Sequence, residues 1–157
     1  MYKKGLYTIV SNEPLTPAVY RMVLEGDTQY ITRSGQFVNI ELEGKFLRRP
    51  ISVCDYNDTT LTIIYKVVGR GTEQMRQMEA GKRLDILTGL GNGFDLDAMP
   101  GEVVLVADDL GIPEMLGLAR SLLMRGKNCR LILSYPSKKD IYMLESFRNL
   151  VNEIEVL

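Results

Sequence analysis

Two hydrophobic periods divide this chain. In its first two-thirds, apolar side chains recur at every second position. Val38, Ile40 and Leu42 alternate with Asn39 and Glu41, and Leu61, Ile63, Tyr65 and Val67 form the apolar set of Leu61–Val68. This alternation predicts strands with one buried face, and the β-branched and aromatic content agrees. Further strands are expected at Gly5–Val10, Val19–Leu24, Ile51–Asp55 and Leu84–Leu87, with a hairpin turn at Asn57-Asp58-Thr59-Thr60. Short strands at this spacing predict a small antiparallel barrel or sandwich.

The period changes after Met99-Pro100-Gly101. Glu102–Ala107 is a continuous apolar run of the kind buried in a parallel sheet. Pro113–Arg125 places Met115, Leu116, Ala119, Leu122 and Leu123 on one helical face, with Pro113 in the first turn and Gly126 just past the end. Arg130–Ser134 is expected as a strand and Ser137–Leu150 as a helix opened by Ser137 and Asp140, with Ile141, Leu144 and Leu150 inward. Ile154–Leu157 closes the pattern as a third strand. The result is βαβαβ, half of a doubly wound nucleotide-binding fold. The domains are expected at 1–98 and 99–157. The second is so small that it should lean on the first or on another chain.

Composition narrows the chemistry. The chain has 157 residues, 45% hydrophobic and 25% charged, with a net charge of −1. No basic excess points to nucleic acid. There is no histidine and there are only two cysteines, which argues against Ser–His or Cys–His nucleophile pairs and against zinc sites of His or several Cys. Cys54 and Cys129 share no metal-ligand spacing and are expected as buried thiols in a reducing compartment. No apolar run approaches a membrane span, and the N-terminus lacks the apolar core of a signal peptide. A cytoplasmic setting is expected, with any redox chemistry carried by a cofactor.

Three segments could hold one. Arg48-Arg49-Pro50-Ile51-Ser52 offers planar guanidinium donors that suit a phosphate, followed by a rigid proline and a hydroxyl. Taken alone it reads rather as a solvated arginine pair at a strand end. Val68-Gly69-Arg70-Gly71-Thr72 runs from a strand into a short helix over Glu73–Ala80, capped by Thr72, where exposed N–H groups could meet phosphate. A tight turn explains that segment as well. Gly89-Leu90-Gly91-Asn92-Gly93-Phe94 is either a loop leaving the barrel or backbone approaching a cofactor, with Phe94 beside its ring.

Together, and in this order, these segments resemble the electron-transfer subunits of bacterial dihydroorotate dehydrogenases, within the ferredoxin–NADP reductase superfamily. The resemblance rests on Gly35-Gln36-Phe37-Val38, Leu47–Val53, Tyr65–Thr72 and Gly89–Phe94. It covers the chain from about Tyr7 and weakens after Ala107. It implies a six-stranded antiparallel Greek-key β-barrel of FAD-binding type, followed by a partial three-layer Rossmann-like unit. It also implies that Arg49 contacts the FAD pyrophosphate and that Pro50, Ile51 and Ser52 line the flavin. Tyr65, Lys66 and Val67 would border the flavin and ribityl chain, and Gly71 and Thr72 would hold the phosphates. The intact family passes electrons from NADH through FAD to a [2Fe–2S] cluster and a catalytic dihydroorotate dehydrogenase subunit, in pyrimidine biosynthesis.

The chain departs from this pattern in two places. Where the family has a glycine-rich turn for NAD, this sequence has Ala107-Asp108-Asp109-Leu110-Gly111-Ile112-Pro113. At an effective dielectric of ~20, two like charges ~4 Å apart repel by about 4 kcal/mol, so NAD binding is expected to be weak or lost. Asp108 or Asp109 could instead cap the following helix. The family's cluster cysteines are not matched by Cys54 or Cys129, and the sequence stops at Leu157, so the complete electron path is not expected within it. The leading expectation is a flavin-binding electron-transfer subunit. The alternatives are a degenerate, non-catalytic interaction subunit that keeps the fold, and a small flavin reductase. A dimer through the Ile154–Leu157 edge is a further expectation.

Overall fold

The period-2 segments close into a barrel because each buries one face and leaves the other to solvent or to a second layer. The computed structural model describes all residues, Met1–Leu157. Six strands form the barrel: β1 (Lys3–Pro14), β2 (Val19–Glu25), β3 (Phe37–Ile40), β4 (Arg49–Tyr56), β5 (Thr60–Lys66) and β6 (Arg83–Leu90). All neighbours are antiparallel, in the closed order β1-β2-β5-β4-β3-β6. Leu61, Ile63 and Tyr65 of β5 point into the barrel with Val38 and Ile40 of β3. The β4–β5 hairpin turns where expected, with Asn57 Oδ1 accepting the N–H groups of Thr59 and Thr60 at 3.0 and 2.8 Å.

β5 stops two residues before the pattern does. The Val67 N–H bonds the Ala18 carbonyl at 2.8 Å, and the Val68 N–H goes to Thr72 Oγ1 at 2.9 Å. Helix α1 spans Arg70–Arg76 rather than Glu73–Ala80, with Gly69 as its N-cap. Thr72 therefore sits inside the first turn and caps it from within.

A parallel sheet of β7 (Glu102–Asp108), β8 (Asn128–Ser134) and β9 (Glu153–Val156) follows, in the order β7-β8-β9. Helix α2 (Glu114–Met124) connects β7 to β8. It buries Met115, Leu116, Leu118, Ala119 and Leu122, while Leu123, expected inside, is 48% exposed. Both helical connections pack into one core, and Val104 and Val106 on β7 are 57% and 69% exposed. Of the three layers of such a unit, this chain supplies two.

The second connection corrects the periodicity. Ser137–Leu150 is not one helix but a 3₁₀ turn at Lys138–Asp140 and a short α3 at Leu144–Phe147. Ser137 Oγ donates to Asp140 Oδ2 at 2.6 Å, as a helix start would, but Ile141 is extended and Met143 is left-handed at φ 68°. The interruption inserts Tyr142 into the core. Its hydroxyl donates to the Asp109 carbonyl at 2.7 Å, and its own carbonyl accepts the Tyr135 hydroxyl at 2.6 Å. These two tertiary bonds and the buried ring hold 141–143 in a shape that no helix could supply.

The small α/β unit does lean on the barrel. Its hydrophobic core includes Val19, Cys54 and Ile64 from the outer wall of the barrel. Gly117 allows α2 to approach β4 closely, since a Cβ there would lie 3.1 Å from the Cys54 carbonyl oxygen. An Arg120–Asp55 ion pair and a 3.1 Å contact between Ser34 Oγ and Ser121 Oγ complete the seam.

Candidate functional site

The two arginines at the start of β4 have different fates. Arg48 is consumed by structure: Nη2 meets Glu41 Oε2 at 2.7 Å and Asp85 Oδ1 at 2.8 Å, and Nη1 reaches the carbonyls of Asn39 and Asp85. Burial works against ionisation of Asp85, but Lys4 and Arg48 override it and hold its carboxyl below the usual range. Arg49 bonds no carboxylate. Its Nη1 donates to the Leu47 carbonyl at 2.6 Å, and the guanidinium lies over Gly71. A Cβ on Gly71 would stand 3.0 Å from both Cζ and Nη2 of Arg49. Gly71 does not have a positive φ. The absence of a side chain there serves the close approach rather than a turn.

Thr72 Oγ1 accepts the Val68 and Gly69 N–H groups at 2.9 and 3.2 Å and donates to the Gly69 carbonyl at 3.1 Å. Its hydroxyl is therefore engaged by the turn. The first helical N–H groups, from Arg70 to Thr72, are those left without an intrahelical acceptor. The fold thus sets the Arg49 guanidinium against Gly71, one residue before Thr72 in the first turn of α1.

Pro50 is exposed, while Ile51 and Ser52 are half-buried along β4. Ile51 and Val67 pack against the barrel core. The carboxyl of Glu114, at the start of α2, faces Ser52. Burial raises its pKa and a hydrogen bond with Ser52 works the other way. Sequence reasoning did not single out Glu114.

Tyr65 and Lys66 are placed differently from a simple lining. The Tyr65 ring is fully buried, stacks on Tyr20 with centroids 5.9 Å apart, and donates its hydroxyl to Asn12 Oδ1 at 2.9 Å. Asn12 Nδ2 donates in turn to the Met75 and Met78 carbonyls, both at 2.9 Å. The side chain of Tyr65 is thus unavailable to a ligand and acts by fixing the end of α1. Asn12, which carries this link, has no local sequence signal, because its partners lie on β5 and just beyond it in α1.

Lys66 Nζ lies 2.7 Å from Asp109 Oδ2. Asp109 has φ 33°, opens the 3₁₀ turn Asp109–Gly111 after β7, and makes no side-chain cap. Asp108 makes no cap either. The expected helix-capping role falls to neither, because the carboxylate of Asp109 is drawn across the seam to the barrel. Phe94 lies against Gly35 and the α/β core, with its N–H on the Ser34 carbonyl at 2.8 Å. Its ring serves the seam between the units.

The free guanidinium, its seat on a bare glycine, the first-turn N–H groups and the Pro50–Ser52 edge suit a phosphate joined to a flat ring. Two cavities of about 540 and 600 Å³ lie elsewhere, along the β4–α2 seam, with the Asp55–Arg120 pair lining both. No group of three or more His, Cys, Asp or Glu is placed to hold a metal ion, and both cysteines are free and buried. No helix is long and apolar enough to cross a membrane.

Comparison with known proteins finds relatives by sequence and by fold. Over 155 residues the chain is 34% identical to the dihydroorotate dehydrogenase B (NAD(+)) electron transfer subunit of Clostridium perfringens, covering 99% of this chain and 61% of that protein. The same-named subunit of Enterococcus faecalis is 38% identical over 152 residues, covering 92% and 58%. The chain is a homologue of these electron transfer subunits. It spans about three-fifths of their length. The structure of an NADH-dependent reduced ferredoxin–NADP oxidoreductase superposes with a TM-score of 0.86 at 26% identity, over 97% of this chain and 56% of that one. Phthalate dioxygenase reductase superposes at 0.82 with 20% identity, over 98% and 51%. The fold is that of the ferredoxin reductases: a flavin-type barrel joined to part of a Rossmann-like unit. No protein-family model matches the chain.

Proposed function

We propose that this chain binds FAD across β4 and the start of α1 and serves as an electron-transfer subunit. The observation that carries the reading is Arg49, a guanidinium without a carboxylate partner, held on Gly71 beside the first turn of α1. Arg49 would bind the pyrophosphate through charge-assisted bonds, which are roughly twice as strong as neutral ones. The backbone of Gly71 and Thr72 would complete that contact. Pro50, Ile51 and Ser52 would set the flavin edge, and Tyr65–Val67 its border, with Tyr65 acting through Asn12 on α1. When bound, FAD would supply the electron chemistry that the side chains lack. The residues themselves would bind, orient and shield it. In this reading residues 1–98 form the flavin domain and 99–157 the nucleotide-type domain.

The partner that fits is a dihydroorotate dehydrogenase catalytic subunit, as the names of the relatives indicate, in the cytoplasm. NAD use is disfavoured by Asp108 and Asp109 at the end of β7. The second reading, a non-catalytic interaction subunit, is favoured by one observation: Lys66 is already neutralised by Asp109.

Purified protein decides between them. A yellow protein with one FAD per chain supports the first reading, and Arg49→Ala should then lower FAD retention. Colourless protein that takes up no added FAD leaves the second.

A further inference from the structure

The larger of the two seam cavities shares no lining residue with Arg49–Ser52 or Gly71-Thr72. Its volume is about 600 Å³, within the ~300–1,000 Å³ of ordinary small-molecule sites, which favour the joints between structural units. The barrel contributes Leu15, Arg21 of β2, and Thr62 and Ile64 of β5. The α/β unit contributes Leu116 and Arg120 of α2 and the strap 141–146.

The walls keep apolar surface that the two cores leave uncovered. Ile141, Met143 and Leu144 are only half-buried, and Leu15 is 38% exposed. Covering such side chains with an apolar body is favourable. The strap holds its shape through its own bonds. Tyr142 is pinned to Asp109 and Tyr135, and Met143 sits at φ 68°, a backbone strain of the kind that gathers at binding sites. A wall already fixed lowers the cost of ordering on binding.

Charge selects the ligand. Four charged side chains line the cavity: Arg21, Asp55, Arg120 and Glu145. Arg120 pairs with Asp55, and Glu145 Oε1 meets Arg148 Nη2 at 2.8 Å. Arg21 is in no ion pair, not even with Glu13, its cross-strand neighbour on β1. One positive charge is therefore left over beside an apolar surface. A guanidinium so placed suits a carboxylate, which it can bind through two parallel bonds.

We propose that this cavity binds an amphipathic monocarboxylate, with the carboxylate on Arg21 and the apolar body against Leu116, Ile141, Met143 and Leu144. The bound acid would tie β2 to the strap and so join the barrel to the α/β unit. The site is independent of the flavin reading, since Arg49 and the first turn of α1 take no part in it.

Calorimetric titration with octanoate tests this, with the neutral isostere octanamide and the short acid butyrate as controls. Octanoate should bind at least about tenfold more tightly than either. Arg21→Gln should lose about tenfold in octanoate affinity, equivalent to ~1.4 kcal/mol, and leave octanamide unchanged. Arg21→Lys should recover part of that loss. The Arg21 side chain is exposed, so the melting temperature of either variant without ligand should not move. Octanoate should also shift the methyl NMR signals of Ile141, Met143 and Leu144 and spare those of Val104 and Val106, which are exposed on β7 outside the cavity. No binding of octanoate at millimolar concentration, an affinity unaltered by Arg21→Gln, or equal shifts at Val104 and Val106 would each overturn the proposal.

Discussion

The ammonium of Lys66 lies 2.7 Å from Oδ2 of Asp109, joining the last residue of β5 to the turn that follows β7. The pair is about a quarter to a third exposed on each side, so its contribution to stability is small, on the order of 0–1 kcal/mol. Its consequence is electrostatic and positional. It places a carboxylate at the carboxyl end of the parallel sheet, where open α/β sheets bind their ligands, and it occupies the ammonium of Lys66. Asp109→Gly would remove the charge, release Lys66 and suit the positive φ. In flavin-loaded protein, stopped-flow reduction by NADH should be faster in this variant than in the unaltered chain, with nearly the same melting temperature. Equal rates would mean that Asp109 is not the barrier.

Gly71→Ala tests the seat of Arg49. The backbone of Gly71 accepts alanine and the helix would gain propensity, but the new methyl group would occupy the space of the guanidinium. FAD retention, read from the flavin-to-protein absorbance ratio, should fall about as far as in Arg49→Ala, without loss of thermal stability. Retention equal to that of the unaltered protein would place the phosphate elsewhere.

Asn12→Ala removes the link between the Tyr65 hydroxyl and the carbonyls of Met75 and Met78. A buried hydroxyl left unsatisfied costs about 1–3 kcal/mol, and in a chain of this size each kcal/mol shifts Tm by roughly 2–4 °C. Calorimetry should show a fall of several degrees. FAD titration should show weaker binding, because the end of α1 loses its anchor. Tyr65→Phe should reproduce part of both effects.

Alkaline pH should destabilise the fold. Burial first, and then the charge of Asp55, push the Cys54 thiol from 9.0 to about 12. Burial likewise raises the Tyr65 and Tyr135 hydroxyls from 10.0 to about 12. Between these limits the native state keeps protons that the unfolded chain releases, so stability is full below about pH 9 and falls as pH rises toward 12. Urea titrations at pH 8 and pH 10.5 should show a lower midpoint at the higher pH. In the same way, Cys54 should resist a thiol reagent at pH 8 until the protein is unfolded. Rapid labelling of both thiols in native protein would contradict its burial.

Much of the fold was legible in local pattern. The set Leu61, Ile63 and Tyr65 lies on the barrel interior because a strand offers only two faces and one must leave water. Met115, Leu116, Ala119 and Leu122 lie inward for the same reason at helical period. The pattern failed where a tertiary bond outweighed it. Ser137–Leu150 carries a helical period, yet Tyr142 is drawn toward Asp109 and Tyr135, and the helix breaks at Met143. Leu123 is apolar, but the helix turns it partly toward solvent.

Periodicity determined the strands and the βαβαβ order but left barrel or sandwich open, because it is a local property; the resemblance to the electron-transfer subunits pointed to the barrel and to Arg49–Ser52 and Gly71-Thr72. Only the tertiary structure decided which arginine remains free: Arg48 and Arg49 are adjacent and chemically identical, and Asp85 and Glu41 reach only the first. It likewise decided that Tyr65 supports the site from within, through Asn12, and that Asp109 faces Lys66 rather than a helix. Each of these depends on partners far apart in sequence, whose meeting is a consequence of barrel closure and of the way the α/β unit docks on its wall.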